Sequence, residues 1–347
     1  MRRHTGIFKL ELFFDKAFMK FQQTQIISFV NQKGGCGKTS SSVSVAAAFA
    51  QLGYSVCLVD SDAQCNSSDS LGVNPDDTTN KVYTLADIYL SKAPASEVEI
   101  KFDDRFGGRL TLIAGHKGLK SVEKRLDKEK LEELANDYSS ILDSDDITNE
   151  HRFRLRDSLA SLRGKHDLVI IDTPPDLGFE MTTSLIASDW FIIPVFASGY
   201  DMKGLETLVK TVEKVKQRYN PKLQLAGVLL GNFDKSAKLD RDIHNLLIRK
   251  FGDNIVFNTT ISRSVKHREA TIYRRTIFEH APNDQSSLQY LDLVKELLNR
   301  GTKSPRGLTD KTLPDENALG RIKNARIDGS DIIEEGNNSF EGEVVNG

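Results

Sequence analysis

The sequence predicts an α/β fold, a mostly parallel twisted sheet with helices on both faces. Three observations carry this expectation. Short apolar runs alternate with longer helix-forming segments, without internal repeats, along a chain of 347 residues. One run, Ile26–Val30, leads through a glycine-rich turn into a helix former rich in Ser, Val and Ala. Two others, Val56–Asp60 and Leu168–Asp172, end in aspartate, at the sheet edge where parallel strands place ligand-binding groups.

The strand from Gln25 is followed by the loop at Asn31–Gly37 and a helix over about 38–52, where no Pro interrupts the Ala- and Ser-rich run. A strand over 55–60 comes next, apolar enough for burial on both faces. A switch-like loop then runs through Gly72. Leu85–Leu90 reads as a short helix leading into the strand Leu110–Ala114. Helical segments over about 119–137 and 149–163 flank the polar loop Asp143–Asp146, and their many charges mark solvated faces. Leu168–Asp172, nearly all branched and apolar, is a buried central strand. The strand Trp190–Val195, a helix over 203–219, the strand Leu225–Gly231 and a helix over 237–251 continue the alternation. The strand Ile255–Thr259 and a helix over about 285–299 close it. Strands joined in this way wind right-handed, as one large domain over residues 25–299.

Residues 1–24 form a separate extension in which Phe8, Leu10, Leu12, Phe13, Phe14, Phe18 and Phe21 interleave with Arg and Lys. Three readings stay open for it: a start that truly lies at Met19, a packed or regulatory extension, or an amphipathic segment on a membrane surface. Residues 300–347 are expected to be a disordered acidic tail. Beyond Gly301 nine acidic residues face six basic ones, without apolar periodicity. No apolar run approaches the length that spans a bilayer. Cys36, Cys57 and Cys65 lack metal-ligand spacing and read as free thiols in a reducing compartment, which excludes a disulfide scaffold or an iron–sulfur ligand set.

The most informative residues are Asn31-Gln32-Lys33-Gly34-Gly35-Cys36-Gly37-Lys38-Thr39-Ser40. A strand, a glycine-rich turn and a helix N-terminus make a phosphate cradle, because backbone N–H groups converge on the anion and the helix dipole favours it. Lys38 suits the β- and γ-phosphates, and the Thr39 hydroxyl suits Mg²⁺. The usual phosphate-loop pattern has Gly where this chain has Gln32, and a second lysine, Lys33, sits inside the loop. In Asp60-Ser61-Asp62 the period of two aims both carboxylates to one side. Asp172, ending the central strand, is placed to orient magnesium, and Asp62 is the candidate for orienting an attacking water. Each aspartate could instead simply cap a helix, but three motifs in this order argue for phosphoryl transfer.

With these motifs the chain resembles the ParA/MinD family of ATPases with a deviant Walker A loop, and within it the ParA-type partition ATPases. The resemblance rests on Lys33–Thr39, Asp60–Asn66 and Asp172–Pro175, and later on Ile193–Val195, Gly204-Leu205, Gly227–Leu230 and Ile261–Ala270. It covers residues 25 to 299, and the cysteines, without iron–sulfur ligand spacing, argue against the related nitrogenase iron proteins. Ala63 stands where the family usually has Pro, Cys65 where it has Gly, and Phe196–Tyr200 is unusual. None of these removes a group on phosphate or metal.

The resemblance implies a slow ATPase that uses ATP and Mg²⁺, with Lys33, Gly34, Gly35, Cys36, Gly37, Lys38, Thr39 and Ser40 on the nucleotide. It implies that Lys33 reaches across an ATP-bound homodimer to the partner's nucleotide. Asn232 resembles the family's adenine-side asparagine, though a turn-forming asparagine fits equally. Residues 241–275 hold eight Lys/Arg against three acids, either a solvated surface or a DNA phosphate footprint. The resemblance favours the footprint, with Arg263, Lys266 and Arg268 as DNA-binding candidates and no preference for base sequence. It further implies a ParB-like centromere-binding or cargo adaptor partner, a cytoplasmic, nucleoid-associated location and no stable membrane association. A MinD-like division regulator would need a basic amphipathic C-terminal helix, and Gly329–Gly347 is acidic. An ATPase that positions a protein cargo would share every catalytic residue.

Overall fold

The computed structural model describes residues 23–76, 82–136, 150–197 and 202–301. The expectations for the N-terminal extension through Gln22, the loop Asp143–Asp146 and the tail from Thr302 lie outside these residues. Seven strands form one sheet: β1 Gln25–Phe29, β2 Val56–Asp60, β3 Ile100–Lys101, β4 Leu110–Ile113, β5 Leu168–Asp172, β6 Trp190–Phe196 and β7 Gln224–Gly231. Their order is β3-β4-β2-β5-β1-β6-β7, parallel except for the β3–β4 pair.

Alternation along the central strands separates two cores. Ile27, Phe29, Leu58, Leu168 and Ile170 join the core that also holds Ala46, Phe49, Leu293 and Val294, from helices Lys38–Gln51 and Gln285–Gly301. Cys57, Val59, Val169 and Ile171 face the opposite way, toward Leu85, Leu119, Leu155 and Phe179 on the helices of the other face. A side-chain period of two therefore yields helices on both faces, as the doubly apolar strands required.

Several elements depart from the sequence reading, among them helices Phe179–Ala187 and Lys266–Ile272, which it did not contain. The expected helix over 149–163 is instead a 3₁₀ turn at Glu150–Phe153, a short helix Arg154–Leu159 and a second 3₁₀ turn at Ala160–Leu162. Its buried leucines, Leu155, Leu159 and Leu162, change spacing from four to three, which tightens the last turn. The expected strand Ile255–Thr259 forms only one bridge, Val228 to Val256. The final helix takes its backbone groups: Arg300 Nη2 donates to Val256 O (2.9 Å), and Glu296 accepts from Asn258 N and Thr259 N (both 2.9 Å). That helix also runs to Gly301, two residues past the expected end. β3 is a further departure, too short to signal itself by periodicity.

The β6–β7 register skips a residue between Phe191 and Ile192, so that Ile192 pairs with Gly227. A Cβ on Gly227 would lie 2.7 Å from the Phe257 ring and 2.8 Å from Ile255 O. Only glycine lets the 255–257 segment approach β7 this closely. Gly227→Ala should therefore destabilise the fold by about 1–3 kcal/mol through overpacking, read as a lowered thermal midpoint. An unchanged midpoint would mean that the segment moves aside at no cost.

Candidate active site

Three strand ends converge at one edge. Phe29 pairs with Asp172 and Asp60 pairs with Asp172, so β1, β2 and β5 finish level with one another. The loop after β1 leads into helix Lys38–Gln51 through Gly37, whose φ of 89° is left-handed. A Cβ there would meet the Phe196 ring at 2.6 Å, so the loop needs glycine for its backbone and for its contact. Asn31 fixes the entry to the loop: its Nδ2 donates to Pro194 O (2.7 Å) and its Oδ1 accepts from Lys33 N (3.0 Å). Buried Lys38 donates from Nζ to Lys33 O (3.1 Å), which holds its ammonium across the loop. The first amides of the helix have no partner one turn back, which suits them to phosphate oxygens.

Asp172 is fully buried. Its Oδ2 accepts from Ser67 Oγ (2.7 Å), while Oδ1 has no hydrogen-bond partner. Burial raises its pKa to about 6, although Ser67, Thr39 and Lys38 all favour the charged form, and Asp62 adds repulsion. Asp60 is raised further, to about 7, by burial and then by Asp172. Its oxygens are taken by Ser68 N (2.8 Å), Ser68 Oγ (2.7 Å) and Asp62 N (3.2 Å), so Asp60 shapes the loop. Asp62 uses Oδ1 to accept from Gln64 N (2.9 Å) and faces Asp172.

An orphaned carboxylate oxygen beside the Thr39 hydroxyl is a hard-oxygen donor set that fits Mg²⁺. No group of three or more His, Cys, Asp or Glu capable of holding a metal occurs among the described residues. Magnesium suits such a site, since it binds through one or two protein oxygens plus phosphate and water.

The sequence-predicted residues Lys33 to Ser40, Asp62 and Asp172 thus come together at one edge. The sequence reading gave no role to Asn31, Ser67, Ser68 or Phe196. A serine pair directly after the Asp60–Asn66 motif was the available signal for two of them. Cys65, where the resemblance expects glycine, keeps a left-handed φ of 56°, a conformation that costs a non-glycine residue about 1–2 kcal/mol. Cys36 is buried, and burial raises its thiol pKa despite nearby Lys38, so it is a packing residue.

Asn232 follows β7 with φ 53°, the left-handed backbone of a turn. The basic stretch springs from the same place, because Ile261 N donates to Leu230 O and Phe233 N to Ile261 O (both 2.9 Å). Arg263 and Arg268 are exposed, whereas Lys266 Nζ is paired with Glu269 (2.8 Å). Val265, Ile272 and Tyr273 are exposed beside them.

A family described as an AAA domain matches residues 24–225. The chain is similar to the chromosome partitioning protein ParA of Myxococcus xanthus, 31% identical over 81% of this chain and 91% of that protein. It is similar to the sporulation initiation inhibitor protein Soj of Bacillus subtilis, 32% identical over 80% of this chain and 99% of that protein. Among solved structures it is similar to cobyrinic acid a,c-diamide synthase from Mycobacterium smegmatis with bound ATP analog and magnesium. There the TM-score is 0.64 at 26% identity, covering 82% of this chain and 98% of that one. With its two-lysine phosphate loop and aspartate-ended strands, the chain belongs to this AAA domain family, and within it to the ParA/MinD-type P-loop ATPases.

Proposed function

We propose that the chain is a partition ATPase that hydrolyses ATP with Mg²⁺, dimerises on binding ATP and then binds DNA without sequence preference. A ParB-like or cargo adaptor partner stimulates hydrolysis, which opens the dimer and releases DNA. The observation that carries this reading is Asp172, buried with Oδ1 unpartnered beside Thr39, in a chain whose phosphate loop has a second lysine. Its similarity to chromosome partitioning ParA proteins supports the partition role.

Phosphoryl transfer to water needs positioning and charge stabilisation more than covalent help. Loop amides and Lys38 hold the phosphates, Thr39 and Asp172 hold the metal, and Asp62 orients the attacking water. The metal, when bound, neutralises charge on the phosphates. Lys33 serves the partner protomer's nucleotide, in the manner of an arginine finger supplied in trans. Asn232 serves the base; that it follows β7, on the side of β1 away from the aspartate-bearing strands, supports this role. Arg263 and Arg268 contact DNA phosphates. Action in the cytoplasm, on the nucleoid, follows from that contact. No helix among the described residues is long and apolar enough to cross a membrane.

Lys38→Ala should abolish nucleotide binding. Lys33→Ala should retain it but lose ATP-driven dimerisation, and with it hydrolysis by about 10³-fold or more if the lysine acts as a trans arginine does. Sedimentation with ATP decides: a Lys33→Ala protein that dimerises and turns over normally removes the trans role.

Arg263→Ala should weaken binding to random duplexes uniformly and lower the slope of log K against log[salt] by about 0.9. Lys266→Ala should do less, since Glu269 already neutralises that charge. Salt titrations giving unchanged slopes for Arg263→Ala would make the stretch a solvated surface.

Raised carboxyls keep protons in the folded protein that the unfolded chain releases above about pH 4. The metal-free, nucleotide-free protein should therefore lose stability relative to Asp172→Asn as pH rises from about 4 through about 6. The difference should reach about 1–3 kcal/mol. Parallel melts in chelator at pH 4 and pH 8 test this, and a wild-type midpoint that holds or rises relative to that of Asp172→Asn would contradict it.

A further inference from the structure

Two helices end against each other beside the active site. Asn66–Ser70 holds the buried aspartates, through Ser67 Oγ to Asp172 and Ser68 to Asp60. Lys266–Ile272 carries part of the basic stretch. Carbonyls at the C-terminal ends of helices lack intrahelical partners. Arg105, in the loop between β3 and β4, supplies donors to both ends: Nη1 to Leu71 O (2.9 Å) and Nη2 to Arg274 O (2.8 Å). Its Nε lies 3.4 Å from Glu279 Oε1, and the guanidinium sits 5.0 Å from the centre of the Phe102 ring. The other Glu279 oxygen accepts from Thr276 N (2.8 Å) and Thr276 Oγ1 (2.9 Å), capping the helix that follows. At 18% exposure, one planar donor fork thus joins three segments.

The backbone on both sides is shaped for this contact. A Cβ on Gly72, where φ is 82°, would lie 3.4 Å from Arg274 Cβ. Arg274 has a φ of 53°, which a non-glycine residue keeps only where its surroundings fix it. Between the two helices lies a cavity of about 210 Å³ lined by Ser40, Asn66, Asp69, His267, Thr271 and Arg275. The guanidinium ties the two helix ends together through contacts that the nucleotide chemistry does not itself require.

We propose that Arg105 is a positioning residue that couples occupancy of the nucleotide site to the basic segment Arg263–Arg275. A ligand acting on Asp172 acts on Ser67 and its helix, hence on the Leu71 carbonyl, and Arg105 carries that shift to Arg274. The DNA consequence rests on the reading that this segment contacts DNA. Reciprocity then requires DNA to change nucleotide affinity by the same factor.

The test compares the full chain with Arg105→Met, and with Arg105→Lys, which cannot serve both carbonyls with a planar fork. Amide hydrogen exchange is measured with and without Mg²⁺ and a non-hydrolysed ATP analogue. In the unaltered protein the analogue should slow exchange at 66–76 and also at 266–275. In both variants the response at 66–76 should persist and that at 266–275 should vanish, with ATP affinity kept. The ATP-dependent gain in affinity for random duplex should fall about tenfold, within the usual range of coupling between sites. Equal responses at 266–275 in all three proteins, or none in the unaltered one, would overturn the coupling. If the unaltered protein binds no duplex in any nucleotide state, the DNA reading falls. The exchange data still decide the coupling, since a response at 266–275 lost only in the variants supports it.

Discussion

Asp172 is buried at the end of the central strand, where no water solvates its charge, and one of its oxygens has no protein partner. Such a group is tolerable only if its surroundings are fixed and a ligand completes it. Much of the neighbouring structure answers that constraint. Ser67 takes one oxygen, Thr39 and Lys38 favour the charge from the phosphate-loop side, and Asp62 opposes it from the loop after β2. A site strained by its own like charges is what a cation with bound phosphates relieves.

The same constraint orders the backbone. Asp60 gives its oxygens to Ser68 and to the Asp62 amide, so the loop after β2 folds into the short helix Asn66–Ser70. Asn31 ties the phosphate loop to the end of β6, and the Phe196 ring fills the space beneath Gly37. The aspartates cluster over β2 and β5, and β6 and β7 lie on the other side of β1, with the phosphate loop between them. The end of β7 is hydrogen-bonded to Ile261, within the basic stretch. Nucleotide site and candidate DNA surface therefore share one sheet edge.

Sequence by itself determined six of the seven strands, the phosphate loop and the aspartates, because these rest on local signals. Five-residue apolar strands, glycines beside a lysine and carboxylates at strand ends are legible without knowing what packs on them. It also determined that the sheet is covered on both faces, since doubly apolar strands such as Leu168–Asp172 allow nothing else. Tertiary structure decided whatever depends on partners distant in the chain. The 255–259 segment has the residues of a strand, yet Arg300 and Glu296, some 40 positions later, claim its backbone groups. Asp60 and Asp62 are alike in sequence, and only the position of Ser68 makes one a loop brace and leaves the other facing the site. Lys266 counts as a positive charge in composition, but Glu269 one helical turn away neutralises it. Arg105 lies in a short loop with no motif, and its meaning arises from two helix ends that no local pattern brings together.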